Sequence, residues 1–276
     1  MKRYIKSAVR SIIDEPNAIK GDIIRSNRTP YAMLMQLAND PDSSVRMDLA
    51  CSLTTPPEIL DKLSTDPDVY VRREVAINSN TPVETLLRMA KEEDDDRVRA
   101  TMANRLYKYP SKVVLAILSN DTEKDHVLGE ALRQLRYGML KPSVRVCKLL
   151  AGCSNDYIRQ CLAREWQDIG IPEQVIPVFM RSEDVATRYC VVSYKTYLPL
   201  NVIDMALDDP APQVRYAVAR DVILPDGYYE KFLNDPEPDV RAGLARNPST
   251  PKDILIQLST DKDEDVRTWA NRRLSQ

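Results

Sequence analysis

The sequence predicts an all-α fold: a right-handed α-solenoid, or superhelix, of about nine two-helix repeats of 26–32 residues. Three observations predict it. Pro30, Pro56, Pro82, Pro110, Pro142, Pro172, Pro199, Pro225 and Pro251 recur at separations of 26, 26, 28, 32, 30, 27, 26 and 26. The residues three, four and seven places after each proline are apolar, Thr85 and Arg145 excepted, which is one face of an α-helix. A second signal, Val-Arg, returns at Val45, Val71, Val98, Val214, Val240 and Val266, with Ile158 and Thr187 as variant copies. Four residues after that slot a second apolar stripe begins, often followed by Ala. Self-similarity at this period is the mark of a stacked repeat architecture.

The elements follow in chain order. Residues 1–26 read as an N-terminal helical cap, with Tyr4, Ile5, Val9, Ile12 and Ile13 at helical spacing. Residues 27–276 read as one continuous array. In each repeat, "TP" (Thr29, Thr55, Thr81 and Thr250 before proline) predicts a first helix, A, with Thr as N-cap and Pro in the first turn. "DP" (Asp40, Asp66, Asp209, Asp235) predicts that Asp caps a second helix, B, where its charge suits the helix N-terminus. Asn78, Asn104, Asn247 and Asn271 fall where helix B should end, in the left-handed stop that Asn tolerates. Residues 104–192 are irregular: the spacing stretches and the TP and DP caps disappear. "RRLSQ" closes the array with a polar end. Helices this short are marginal alone, so their apolar stripes must be buried against the next repeat.

Composition narrows the function classes. The chain has 276 residues, 43% hydrophobic and 29% charged, with a net charge of −2, which is not the excess of cations expected of a nucleic-acid binder. Seven glycines leave little room for phosphate-binding loops. Five cysteines with no CxxC pair support neither a disulfide framework nor a zinc knuckle. No signal peptide or apolar span of membrane length is read, so the expected setting is the cytoplasm, with no membrane partner.

The unit N-x-x-T-P-x-x-x-L-x-x-L-x-x-D-P-x-x-x-V-R-x-x-V-A, clear at 27–103 and 199–271, resembles the leucine-rich repeat variant family. It is also similar to the short HEAT-like repeats of bacterial α-solenoids. The resemblance implies an α-superhelix used for recognition. The founding variant-repeat type carries a cysteine-bound iron–sulfur cluster ahead of its repeats. No cysteine precedes Cys51 here, so no such cofactor is expected.

The Arg of each Val-Arg pair reads either as a positive stripe for phosphate or acidic peptide, or as a partner for acids at the A–B turn of its own or the next repeat. Asp42, Asp68, Asp96, Asp156, Asp239 and Asp265 stand just upstream, and pairing is favoured. His126, the one histidine, falls in the Val slot and is expected at the edge of the core; Cys147, Cys153, Cys161 and Cys190 are expected as buried thiols. Two places after the Val slot the residue varies freely (Met47, Arg73, Ala100, Leu128, Gln160, Tyr189, Tyr216, Ala242, Thr268), as a recognition surface needs. If helix B lines the concave side, Arg73, Gln160, Tyr189 and Tyr216 point into the groove. A second candidate is the acid-free run at 133–148, where Arg133, Arg136, Tyr137 and Lys141 would contact a ligand. The expected function is a non-enzymatic scaffold that binds a protein or peptide partner in its groove, with no catalytic, cofactor or metal residues. The alternative is a DNA-base (alkylpurine) glycosylase, or another DNA-binding solenoid, using 133–148. A bilin-lyase-like or chaperone role is not separable from the scaffold reading by sequence.

Overall fold

A computed structural model describes residues 12–120 and 125–276. Among the described residues there are nineteen α-helices, three 3-10 turns and no strand. None of these helices is long and apolar enough to cross a membrane. Contacts gather into two compact units, Met1–Lys141 and Pro142–Gln276. The first holds α1 (Asn17–Arg25), α2 (Tyr31–Leu37), α3 (Ser43–Cys51), α4 (Pro57–Leu63), α5 (Val69–Ile77), α6 (Val83–Glu92), α7 (Asp96–Ala103), α8 (Ser111–Asn120) and α9 (Asp125–Arg136). The second holds α10 (Val144–Ala151), α11 (Asp156–Ile169), α12 (Ile176–Met180), α13 (Val185–Val192), α14 (Leu200–Leu207), α15 (Pro212–Asp221), α16 (Tyr228–Leu233), α17 (Pro238–Arg246), α18 (Lys252–Leu258) and α19 (Glu264–Leu274).

Within each unit the B helices stack in sequence. α3 packs on α1, α5 on α3, α7 on α5 and α9 on α7; in the second unit α11, α13, α15, α17 and α19 do the same. The two stripes supply the core: Leu37, Leu49, Leu60, Leu63, Val71 and Val75 in the first unit, and Phe179, Val214, Val218, Phe232, Val240 and Leu258 in the second, are fully buried. Each such side chain contributes about 1.5–3 kcal/mol relative to exposure, which short helices need from their neighbours. The predicted cap residues Tyr4, Ile5 and Val9 lie outside the described residues. Ile12 is buried in a 3-10 turn while Ile13 is exposed. α1 already packs as a B helix against α3.

The repeat signature is used differently from the sequence expectation. Proline, not threonine, occupies the N-cap of α2, α4, α6, α14 and α18. The threonine instead turns back and closes the preceding B helix. Thr55, Thr81 and Thr250 Oγ1 donate to the carbonyls of Leu49, Val75 and Leu244, each at 2.6 Å. A C-terminal carbonyl has no partner inside its own helix, so this hydroxyl satisfies a group that burial would otherwise leave orphaned. The aspartate of DP is likewise not the cap. Asp42 and Asp68, two residues further on, cap α3 and α5 by accepting from Ser44 N and Tyr70 N at 2.8 Å.

The DP aspartate holds an arginine of the repeat before it. Arg46 grips Asp66 through Nε and Nη2 at 2.7 and 2.9 Å, while its Nη1 donates to the Asp40 carbonyl of its own turn at 2.6 Å. Arg188–Asp209, Arg215–Asp235 and Arg241–Asp261 repeat the fork, and Arg72 finds Glu93 in the same place. Lys20 and Asp40, 2.8 Å apart, form a shortened first rung. Pairing with acids at the A–B turn of the same or the next repeat was expected, and the next repeat supplies the carboxylate; of the acids just upstream, Asp42 and Asp68 are spent on helix caps. The ladder changes where Ser182 replaces the acid: Arg159 keeps the bond to the carbonyl of its own turn, that of Cys153, but pairs with Asp156 instead.

Asparagine does not stop helix B in a left-handed conformation. Asn78 and Asn247 are extended, with ψ of 128° and 122°. Their Nδ2 groups reach the previous repeat: Asn78 to the Ala50 and Ser52 carbonyls at 2.7 and 3.0 Å, Asn247 to those of Ala219 and Val222 at 2.8 Å. Gln134, fully buried, does the same for the Ala103 carbonyl at 2.8 Å. Asn271 lies inside α19 rather than beyond it.

The irregular region shifts register. His126 is exposed and Val127 takes the buried slot, so His126 is not at the core edge and Leu128, fully buried, is not a surface position. In the repeat anchored at Pro142 the cap is Ser143, and Val146 faces inward as predicted, while Cys147 and Leu150 do so in place of Arg145 and Leu149. Cys147, Cys153, Cys161 and Cys190 are buried as expected, and burial raises the Cys147 thiol to about 11.

Asp235→Ala leaves buried Arg215 without its carboxylate and should cost about 3–5 kcal/mol in urea unfolding. Asp184, the cap of α13, is held down to about 2 by hydrogen bonds, that from Thr187 first. Its ordinary value is 3.8, so its contribution to stability is complete above pH ~4 and lost as pH falls towards 2. Asp184→Asn keeps a capping side chain and should flatten that acid limb in thermal melts taken from pH 7 to pH 2.

Candidate functional site

The freely varying position on helix B comes closest to forming a site in the second unit. Because α13, α15 and α17 stack side by side, Tyr189 on α13 and Tyr216 on α15 line one groove, of about 900 Å³. Val185, Ala186 and Pro212 supply apolar lining; Asp184, Glu237, Asp239, Gln213 and Arg246 supply the polar part. Gln160 borders it from α11, its Nε2 donating to Asp184 Oδ2 at 3.1 Å. Ala242, at the same position of α17, is buried, and Thr268 on α19 is exposed outside the lining.

The groove has two chemically different edges, set by helix direction. Asp184 and Glu237 are the N-cap residues of α13 and α17, and Asp239 lies in the first turn of α17. Arg220, Arg246 and Arg272 lie in the last turns of α15, α17 and α19. Each sign suits the helix dipole at its own end. B helices of 8–11 residues separate the edges by roughly 12–16 Å at ~1.5 Å per residue.

Along the basic edge runs an alternating row of rings and guanidinium groups. Arg220 Cζ lies 5.7 Å from the centre of the Tyr194 ring and 5.2 Å from that of Tyr216. Arg246 donates from Nη1 to the Tyr216 hydroxyl at 3.2 Å and lies 4.4 Å from the Trp269 ring centre; Arg272 lies 5.2 Å from the same ring. Cation–π contacts of this kind are worth about 0.5–1 kcal/mol each when exposed. Asp221 binds Arg220 through two 2.7 Å hydrogen bonds and raises its pKa. Partial burial raises that of Tyr189. Tyr194 holds φ at +59°, a strained conformation for a bulky residue, and is 79% exposed.

Tyr216 needs its neighbour to have no side chain. A Cβ at Gly243 would sit 2.8 Å from Cδ2 of the Tyr216 ring, so the ring lies directly on the α17 backbone. The sequence signal was a glycine inside a helix, three places after Val240. The corresponding residues elsewhere include Asp48, Glu74, Ala217 and Trp269.

The other candidates do not join this groove. Arg73 belongs to the first unit, where its Nε donates to Thr101 Oγ1 at 3.1 Å and its guanidinium lies 5.7 Å from the Tyr70 ring centre. Arg97 stacks on the same ring at 5.8 Å. The run at 133–148 is not one face. Gln134, Leu135 and Leu140 point inward; Arg133 is held by Glu130 through hydrogen bonds of 2.8 and 2.5 Å; Arg136, Tyr137 and Lys141 are exposed. Lys141 ends the first unit, so Arg145 and Lys148 belong to the second. Arg220, Arg246, Tyr194 and Gly243 were not singled out from sequence, because ring stacking across repeats leaves no spacing pattern. Among the described residues no group of His, Cys, Asp and Glu is placed to hold a metal.

Gly243→Ala should fail to deliver the roughly 1 kcal/mol that alanine gains over glycine in a helix, because Tyr216 must move. In the Tyr216→Ala background the gain should return, and a double-mutant cycle on urea midpoints measures the difference. No family model matches the chain, and no curated protein matches it in sequence.

Proposed function

We propose that the chain is a helical-repeat binding protein, of the leucine-rich repeat variant or short HEAT-like kind, that takes a protein or peptide partner without catalysing a reaction. Support comes from the groove across α13, α15 and α17, where the position free to vary carries Tyr189 and Tyr216 above an otherwise regular scaffold. Tyrosine gives a large, rigid contact area at low entropic cost and is enriched among binding hot spots. The edges carry opposite signs, which suits a polypeptide with both charges. A polyanion such as duplex DNA would meet Asp184, Glu237 and Asp239 on one side.

Selection of a random peptide display library on the immobilised full chain tests this. Enriched peptides should bind the wild type and lose at least tenfold in affinity to Tyr189→Ala/Tyr216→Ala. No enrichment, or equal binding to the double variant, overturns the proposal. A salt-sensitive gel shift of duplex DNA, abolished by changes at Arg133 and Arg136, would favour the DNA-binding alternative instead.

A further inference from the structure

Resting on that reading, the groove also indicates which peptide it takes. Three of its lining residues are carboxylates and one is a cation. That cation, Arg246, is already engaged by the Tyr216 hydroxyl and the Trp269 ring. Asp184 accepts only neutral donors: Ala186 N, Thr187 N and Oγ1, and Gln160 Nε2. Among the described residues no cation lies within ion-pair distance of Asp184, Glu237 or Asp239. Arg188 and Arg215 are near enough to Asp184 and Glu237 to feel their charge, but their forks are filled by Asp209 and Asp235. The groove therefore presents three carboxylates that no cation among the described residues pairs with directly.

The rings point the same way. Tyr194, Tyr216 and Trp269 each carry a guanidinium of the protein itself over the ring. Tyr189 lines the groove with none over it among the described residues. Val185, Ala186 and Pro212 beside it offer an apolar bed for the methylene stem of a long side chain.

We propose that the groove binds an extended peptide segment through two basic residues. One lies over Tyr189 with its charge at Asp184; the other reaches Glu237 and Asp239. The carboxylates sit on α13 and α17, with α15 presenting neutral Pro212 and Gln213 between them. Helices pack about 8–10 Å apart, which places the two stations roughly 16–20 Å apart. An extended chain rises ~3.3 Å per residue, so the two cations should be about five or six residues apart.

Fluorescence anisotropy with the full chain tests this. The probes are labelled twelve-residue Gly/Ser peptides carrying two Arg six apart, two adjacent Arg, or two Glu six apart. The spaced Arg peptide should bind at least tenfold more tightly than the Glu peptide and several-fold more tightly than the adjacent Arg peptide. Glu237→Lys/Asp239→Lys should weaken it at least tenfold. Glu237→Gln/Asp239→Asn, which introduces no repulsion, should weaken it less. Glu230→Lys/Asp253→Lys makes the same net charge change on exposed residues of α16 and α18 and should leave binding within twofold. Circular dichroism of each variant confirms an unchanged helix content. Equal binding of Arg and Glu peptides, indifference to spacing, or equal loss in the Glu230/Asp253 control overturns the proposal. Library peptides that depend on Tyr189 and Tyr216 but lack basic residues would sink this inference and leave the peptide-binding reading standing. Failure of the library selection sinks both.

Discussion

A guanidinium that recurs at five of the repeat boundaries carries much of the architecture. Arg215 shows how: two of its nitrogens grip Asp235 of the next repeat and a third holds the Asp209 carbonyl of its own turn. Asp235 in turn accepts from the backbone N–H of Glu237 at 3.0 Å, which shapes the entry to α17. The fork thus ties three things together: the turn before one B helix, that helix, and the turn before the next. Lysine, a single point charge, cannot make all of these bonds at once. In a buried setting the pair is better evidence for a specified register than for net stability, because desolvation offsets much of the attraction.

Asparagine and threonine complete the boundary in the regular repeats. Helix B ends with carbonyls that the next repeat buries: Thr250 turns back to that of Leu244 at the end of α17, and Asn247 reaches across to those of Ala219 and Val222 at the end of α15. The apolar stripes supply the driving force for stacking, and these polar bonds select one way of stacking. Where the motif is lost, substitutes appear, as with Gln134 for asparagine and Glu93 for aspartate. Both keep the bond while changing the residue, and Gln134 does so inside the stretch, 104–192, that reads as irregular.

The groove inherits its polarity from the same repeat. Acids gather at B-helix N-termini and arginines at C-termini, each stabilised by its own helix end, so a binding face with opposite edges arises from capping chemistry. What distinguishes the second unit is the content of one variable position and its supports. Tyr189 and Tyr216 line the groove, Gly243 leaves Tyr216 room against the backbone, and Arg220 and Arg246 hold its ring in place.

The sequence by itself determined the helical class, the repeat length, the two apolar stripes, the pairing of the repeated arginines and the burial of four cysteines. These are legible because they depend on neighbours three or four residues apart, or on an exact recurrence. Tertiary structure decided which acid each arginine meets. Asp42 and Asp66 are both near in sequence terms, and only the rotation of one helix pair on the next brings Asp66, 20 residues away from Arg46, into the fork. It likewise decided that His126 faces solvent, that the basic run at 133–148 divides at Lys141, and that Tyr216 lies on Gly243. Each of these is set by how neighbouring helices turn and pack on one another, a quantity that no local pattern of residues encodes.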